Sequence, residues 1–160
     1  MWRDDRELFR WCEEQETWTR IIKTQDQTKN SDTTYATDTD LQFRVDANRI
    51  YTIRLKIWFD TDATPDFKFQ FTGPGSPTLL IAKGHYWIPG ASADSDFFHT
   101  AFSTSVAVTG ASSADGFIEA DVLLQNGANM GVFALQWAQN TSDAGDTIVR
   151  GGSYIEYFVL

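Results

Sequence analysis

From Tyr51 to Asp60 the chain alternates strictly: Tyr51, Ile53, Leu55, Ile57 and Phe59 are apolar, while Thr52, Arg54, Lys56 and Asp60 stand between them. Successive side chains of a strand point to opposite faces, so this stretch can be buried only as one side of a sheet whose other side is wet. A helix would scatter the same five residues around its circumference. Trp58 is the exception on the polar side, an indole among charges.

The same period recurs along the chain. Leu41, Phe43 and Val45 alternate with Gln42, Arg44 and Asp46, Phe67, Phe69 and Phe71 with Lys68 and Gln70, and Phe133, Leu135 and Trp137 with Ala134 and Gln136. Residues 17 to 24 read as a first strand, 78 to 82 as an apolar run, 97 to 108 as one or two strands, and 153 to 160 as the last. Ile118, Ala120, Val122 and Leu124 mark a further core face, and the polar stretch from Gln25 to Asp40 reads as a long connection. Turn signals fall at Pro89-Gly90, Thr109-Gly110, Asp115-Gly116, Asn126-Gly127 and Gly151-Gly152. Together they predict an all-β protein, an antiparallel jelly-roll-like β-sandwich of about eight strands. No internal repeat favours a propeller or a solenoid.

Residues 1 to 16 differ. Asp4 and Glu7 have the spacing of a capping box, and Leu8, Trp11 and Cys12 fall at helical intervals beside Phe9, which predicts a short helix over about residues 5 to 15. The expected organisation is therefore an N-terminal helical arm, 1–16, followed by a sandwich domain, 17–160. Leu8, Phe9 and Trp11 are the candidate contacts of that arm with a partner.

A chain of 160 residues buries enough surface to fold as one domain without staples. Its single cysteine excludes an intrachain disulfide and fits assembly in a reducing cytoplasm. The net charge of −9, with no run of Lys or Arg, argues against a nucleic-acid partner. The charge-dense start, MWRDDRELFRW, offers neither a signal-peptide core nor a membrane span.

Catalytic chemistry has little to work with. His85 and His99 are the only histidines and form no His-x-His pair, so neither a cupin-type metal site nor a His-based triad is expected. Asp60, Asp62, Asp66, Asp94, Asp96, Asp143 and Asp146 fall mostly in loops, where Asp stabilises turns. Asp60-Thr61-Asp62 and Asp94-Ser95-Asp96 lack the glycine and terminal glutamate of a calcium loop. No phosphate-binding glycine motif occurs. A glycosidase would need two carboxylates in one cleft, which a sequence cannot display. The expectation is a non-enzymatic protein with no cofactor.

Aromatic residues carry the functional signal. With 6 Trp, 5 Tyr and 12 Phe, the chain has rings to spare beyond its core faces. Trp58 and the adjacent Tyr86 and Trp87 are candidates for an interface or for stacking on a sugar. On the strand at 131–138, Val132, Ala134 and Ala138 are small, so that face can approach another surface closely. The expected oligomer interface therefore combines Trp58, Val132, Ala134 and Ala138, with Tyr86 and Trp87 as possible ligand-stacking residues.

Three segments in order, TPDFKFQFTGP at 64–74, NGANMGVFALQWAQNTS at 126–142 and GGSYIEY at 151–157, resemble a β-sandwich module of tailed-phage virion proteins. Capsid decoration (cement) proteins and head-fibre proteins contain it. The resemblance spans about residues 17 to 160 and implies a structural role without catalytic residues. It implies a homotrimer on the outer capsid of the virion, in contact with the major capsid protein and stabilising it. A receptor- or carbohydrate-binding module on a tail or head fibre is the alternative.

Overall fold

In a computed structural model, which describes residues 17–62, 64–88, 95–109 and 114–160, the alternating segment lies at the heart of the larger of two sheets. The strands are β1 (Thr19–Ile22), β2 (Gln27–Lys29), β3 (Ala36–Val45), β4 (Ile50–Thr61), β5 (Phe67–Thr72), β6 (Leu79–Trp87), β7 (Ser95–His99), β8 (Val106–Val108), β9 (Ala114–Gln125), β10 (Gly131–Gln139), β11 (Thr147–Val149) and β12 (Tyr154–Val159). Among the described residues there is no helix. The expected helix at 5–15, with Leu8, Phe9 and Trp11, lies outside them.

The large sheet runs β1-β12-β4-β9-β6-β7, with the short β11 attached to β4 and β2 attached to β11, and the small sheet runs β3-β10-β5-β8. All pairings are antiparallel. Without β2, β11 and the β6–β7 hairpin, eight strands remain in two sheets of four, β1-β12-β4-β9 and β3-β10-β5-β8, connected as a jelly roll. The additional hairpin extends the large sheet by two strands beyond β9 and widens its outer face.

Both inner faces are aromatic. Phe59 of β4 stacks on Phe67 of β5 at 4.6 Å between centroids, Phe67 lies 5.9 Å from Trp137, and Phe71 lies 5.8 Å from Phe133. All are buried. Each fully buried ring of this kind contributes roughly 1.5–3 kcal/mol relative to exposure.

Two local features depart from the sequence reading. β3 begins at Ala36, five residues before Leu41, because the polar residues before Leu41 form a bulge: Gln136 pairs with Thr37, while Ala134, two residues away, pairs with Gln42. The Asp38 carboxylate holds it, accepting from the backbone N–H of Asp40 and of Leu41, both at 3.0 Å. Asp115-Gly116 is not a turn. Gly116 lies within β9 opposite Phe59, where a Cβ would collide with the Phe59 ring and sit 2.8 Å from the Trp87 carbonyl oxygen. The Gly151-Gly152 turn does form, with Gly152 at φ +88°, a region that favours glycine.

Candidate binding face

The two outer faces of the sandwich differ in kind. On the small sheet the outward residues tie to one another: Gln70 Nε2 donates to Gln136 Oε1 at 2.8 Å, and Gln136 Nε2 donates to Thr37 Oγ1 at 3.1 Å. The Lys68 ammonium lies 4.9 Å from the centre of the Tyr35 ring, whose hydroxyl shares a 2.5 Å hydrogen bond with Ser105 Oγ.

Four of the outward rows across the large sheet, each set by register, lie between the row Ile148–Asp60–Asp115 at one end and the row Ile50–Gln125–Leu79 at the other. The first is aromatic: Trp58 and Trp87 both pair with Phe117, one from each side. Trp87 and Phe117 have centroids 6.0 Å apart, and Tyr154 lies 6.1 Å from Trp58. The second row runs Ile22, Tyr154, Lys56, Glu119, His85, Asp96. The third runs Arg20, Glu156, Arg54, Asp121, Lys83, Phe98. The fourth returns to largely apolar residues with Phe158, Thr52, Leu123 and Ile81, and Trp18 packs on Phe158 at 6.1 Å.

Alternation alone makes these rows, since every outward residue of β4, β9 and β6 falls beside its counterparts on the neighbouring strands. The middle rows place Arg20, Arg54, Lys56 and Lys83 among Glu119, Asp121, Glu156 and Asp96, four of each sign. Lys56 pairs with Glu119, whose hydrogen bond raises the lysine pKa. Arg20 sits 2.7 Å from Glu156 and is raised in the same way. Arg54 lies 3.7 Å from Asp121 and 4.4 Å from the Trp18 ring centre. Between the rims these side chains enclose an open concavity of about 530 Å³, with Leu55, Gly84 and Ala120 in its lining. Gly84 lets β6 and β9 close up there, because a Cβ would lie 2.9 Å from Ala120 Cα and collide with the Glu119 carbonyl.

The expected interface is divided by this geometry. Trp58 lies on the outer face of the large sheet, whereas Val132, Ala134 and Ala138 lie on the outer face of the small one, so the four share no continuous surface. Val132 is 48% exposed, but Ala134 and Ala138 are 2% and 0% exposed, recessed beside longer neighbours such as Gln42 and Lys68. Tyr86 and Trp87 are likewise separated. Consecutive strand residues face opposite ways: Tyr86 turns inward, packs on the core and donates its hydroxyl to the Ala107 carbonyl at 3.4 Å, while Trp87 turns outward. Trp58 and Trp87, considered apart in the sequence, belong to one row, 36% and 40% exposed. Phe117, which joins them, could have been found from the parity of Ile118, Ala120, Val122 and Leu124.

The two histidines also lie on opposite faces of the β6–β7 hairpin. His85 faces outward, 3.7 Å from Glu119, and His99 faces inward beside Phe97, its Nε2 buried and unpartnered and its pKa lowered by burial. They cannot share a metal ion. Among the described residues no group of three or more His, Cys, Asp and Glu is placed to hold one. Asp60 binds Arg150 at 2.7 Å together with Asp26 and Asp115, and Asp143 caps its own loop through the Gly145 N–H. Asp94 lies outside the described residues. No protein-family model matches this chain, and no curated protein matches it.

Proposed function

We propose that this chain is a non-enzymatic structural protein of a tailed-phage virion, carried on the outer capsid surface, and that the outer face of its large sheet is a recognition surface. The observation that carries the recognition reading is the contrast between the two outer faces. One carries a hydrogen-bonded ladder of Gln70, Gln136 and Thr37 beside the small exposed side chain of Val132, and the other exposes the large rings of Trp58 and Trp87 beside an open concavity. Exposed aromatic side chains gathered on one face mark places where another molecule binds.

What supports the virion setting is the resemblance in the segments at 64–74, 126–142 and 151–157, together with the jelly-roll arrangement those segments build as β5, β10 and β12. The homotrimer and the contact with the major capsid protein rest on that resemblance. Leu8, Phe9 and Trp11 remain the candidate anchor, and the large-sheet face is then left free to bind outward. Cryo-electron microscopy of the assembled particle tests the assignment. Density over the junctions between major capsid subunits, with the large-sheet face turned away from the shell, is the expected result. Density confined to the tail rejects the capsid position. Deleting residues 1 to 16 should leave a folded sandwich that no longer binds particles, and retained binding rejects the anchor.

A further inference from the structure

From the order of its rows, we infer that the large-sheet face is a groove for a neutral oligosaccharide. The inference rests on the recognition reading above and names the class of ligand.

Protein–protein interfaces place apolar residues at the centre and polar ones at the rim, with charged residues depleted from the core. This face is inverted. Its charged residues occupy the centre of the middle rows, where Ile22, Tyr154 and Phe98 stand only towards the ends, on the outer strands, and the largely apolar rows Trp58–Phe117–Trp87 and Phe158–Thr52–Leu123–Ile81 form the rims. A protein seated here would have to desolvate a central grid of ions, at a cost that their mutual attraction only partly offsets. A ligand rich in hydroxyls meets no such penalty, because each hydroxyl both donates to carboxylates and accepts from ammonium and guanidinium groups.

Charge narrows the class. The middle rows hold four cations and four carboxylates and so cancel, on a chain whose net charge is −9. A polyanion would find no excess of positive charge here, and a polycation no excess of negative charge. An uncharged polyol fits.

Shape agrees. Steps of two residues along a strand are about 6.8 Å, so three steps separate the rims by roughly 20 Å, and six strands at about 4.8 Å spacing give the groove a length of roughly 24 Å. The concavity of about 530 Å³ lies within the usual range for small-ligand sites. The indole of Trp87 and the ring of Phe117 offer flat apolar surfaces to the C–H face of a pyranose. His85 and Glu119 of the next row are close enough to take its hydroxyls, His85 packing edge-on at 5.8 Å from Phe117. Lys83 and Asp96 form no ion pair among the described residues and are free to do the same.

Isothermal titration calorimetry on the 160-residue chain tests this, with cello-, malto-, xylo- and chito-oligosaccharides as neutral probes and heparin as the polyanion. The expected result is saturable binding of a neutral oligosaccharide that does not change with salt. Trp87→Ala and Trp58→Ala should weaken it roughly tenfold or more, while Val132→Ser on the other face leaves it unchanged. Binding of heparin alone, falling as salt rises, overturns the inference. No binding of any neutral probe overturns it as well, and sedimentation of wild type and Trp87→Ala then separates the two readings. Self-association that Trp87→Ala abolishes leaves the face as a recognition surface for protein, and identical monomers remove both readings.

Discussion

Lys23 Nζ lies 3.0 Å from Asp38 Oδ1, and both side chains are fully buried. The pair ties the end of β1, an edge strand of the large sheet, to the bulge of β3 in the small sheet. Its bonding capacity is well used: Asp38 Oδ2 accepts from Trp137 Nε1 at 3.1 Å, and Lys23 also donates to Gln27 Oε1 at 3.2 Å. A buried pair costs desolvation when it forms, but breaking it strands a charge. Lys23→Met should therefore destabilise the fold by about 3–5 kcal/mol, and Lys23→Met with Asp38→Leu should recover part of that loss. Urea unfolding of the three proteins decides it. A single replacement no worse than a surface change would show that the pair is dispensable.

Gly116→Val introduces a side chain where Phe59 and the Trp87 carbonyl leave no room. Overpacking of this kind costs about 1–3 kcal/mol. The expected outcome is a lower midpoint in denaturant with an unchanged slope. Gly75→Val serves as the control, since a Cβ at Gly75 meets nothing within 4 Å.

Trp58 and Trp87 belong to the face and Trp137 to the core, and stability should separate them. Trp137→Ala leaves a cavity between the sheets and is expected to cost about 3–5 kcal/mol. Trp58→Ala and Trp87→Ala, each partly exposed, should cost less than about 1 kcal/mol. Thermal unfolding followed by circular dichroism reads the difference, and equal losses in all three would contradict the placement of the two outer indoles.

Acid should weaken the loops around β2. The Lys29 ammonium, with the Thr34 N–H, lowers the Asp32 pKa from 3.8 to about 2, and the Gly151 N–H with Arg150 lowers that of Asp26. Because both folded-state values lie below the unfolded ones, their contribution is complete above the ordinary Asp value of about 4 and declines as pH falls. For Asp32 it is gone below about 2. Unfolding midpoints between those limits should fall for the wild type and fall less steeply for Asp32→Asn. Parallel curves would remove Asp32 from the explanation.

Local alternation carried most of the architecture into view. Leu41, Phe43 and Val45, Tyr51 to Phe59, and Phe133 to Trp137 show their buried faces in sequence because the two-residue period of a strand is a local property. The same rule, applied across Tyr86 and Trp87, already forbids those neighbours a common face. The bulge at Asp38 was hidden, since a stretch of Thr and Asp reads as a connection until the lysine that follows β1 and the indole of Trp137 arrive to satisfy its carboxylate.

The sequence by itself determined the all-β class, the core faces and the surplus of aromatic rings, all of which follow from interactions between near neighbours in the chain. Only the tertiary structure decided which outward residues meet. Strand register set Trp58 beside Phe117 and Trp87, and sheet order put Val132, Ala134 and Ala138 on the far side of the molecule. Register and sheet order depend on pairings between distant segments, β4 with β9 and β9 with β6, which no local period encodes.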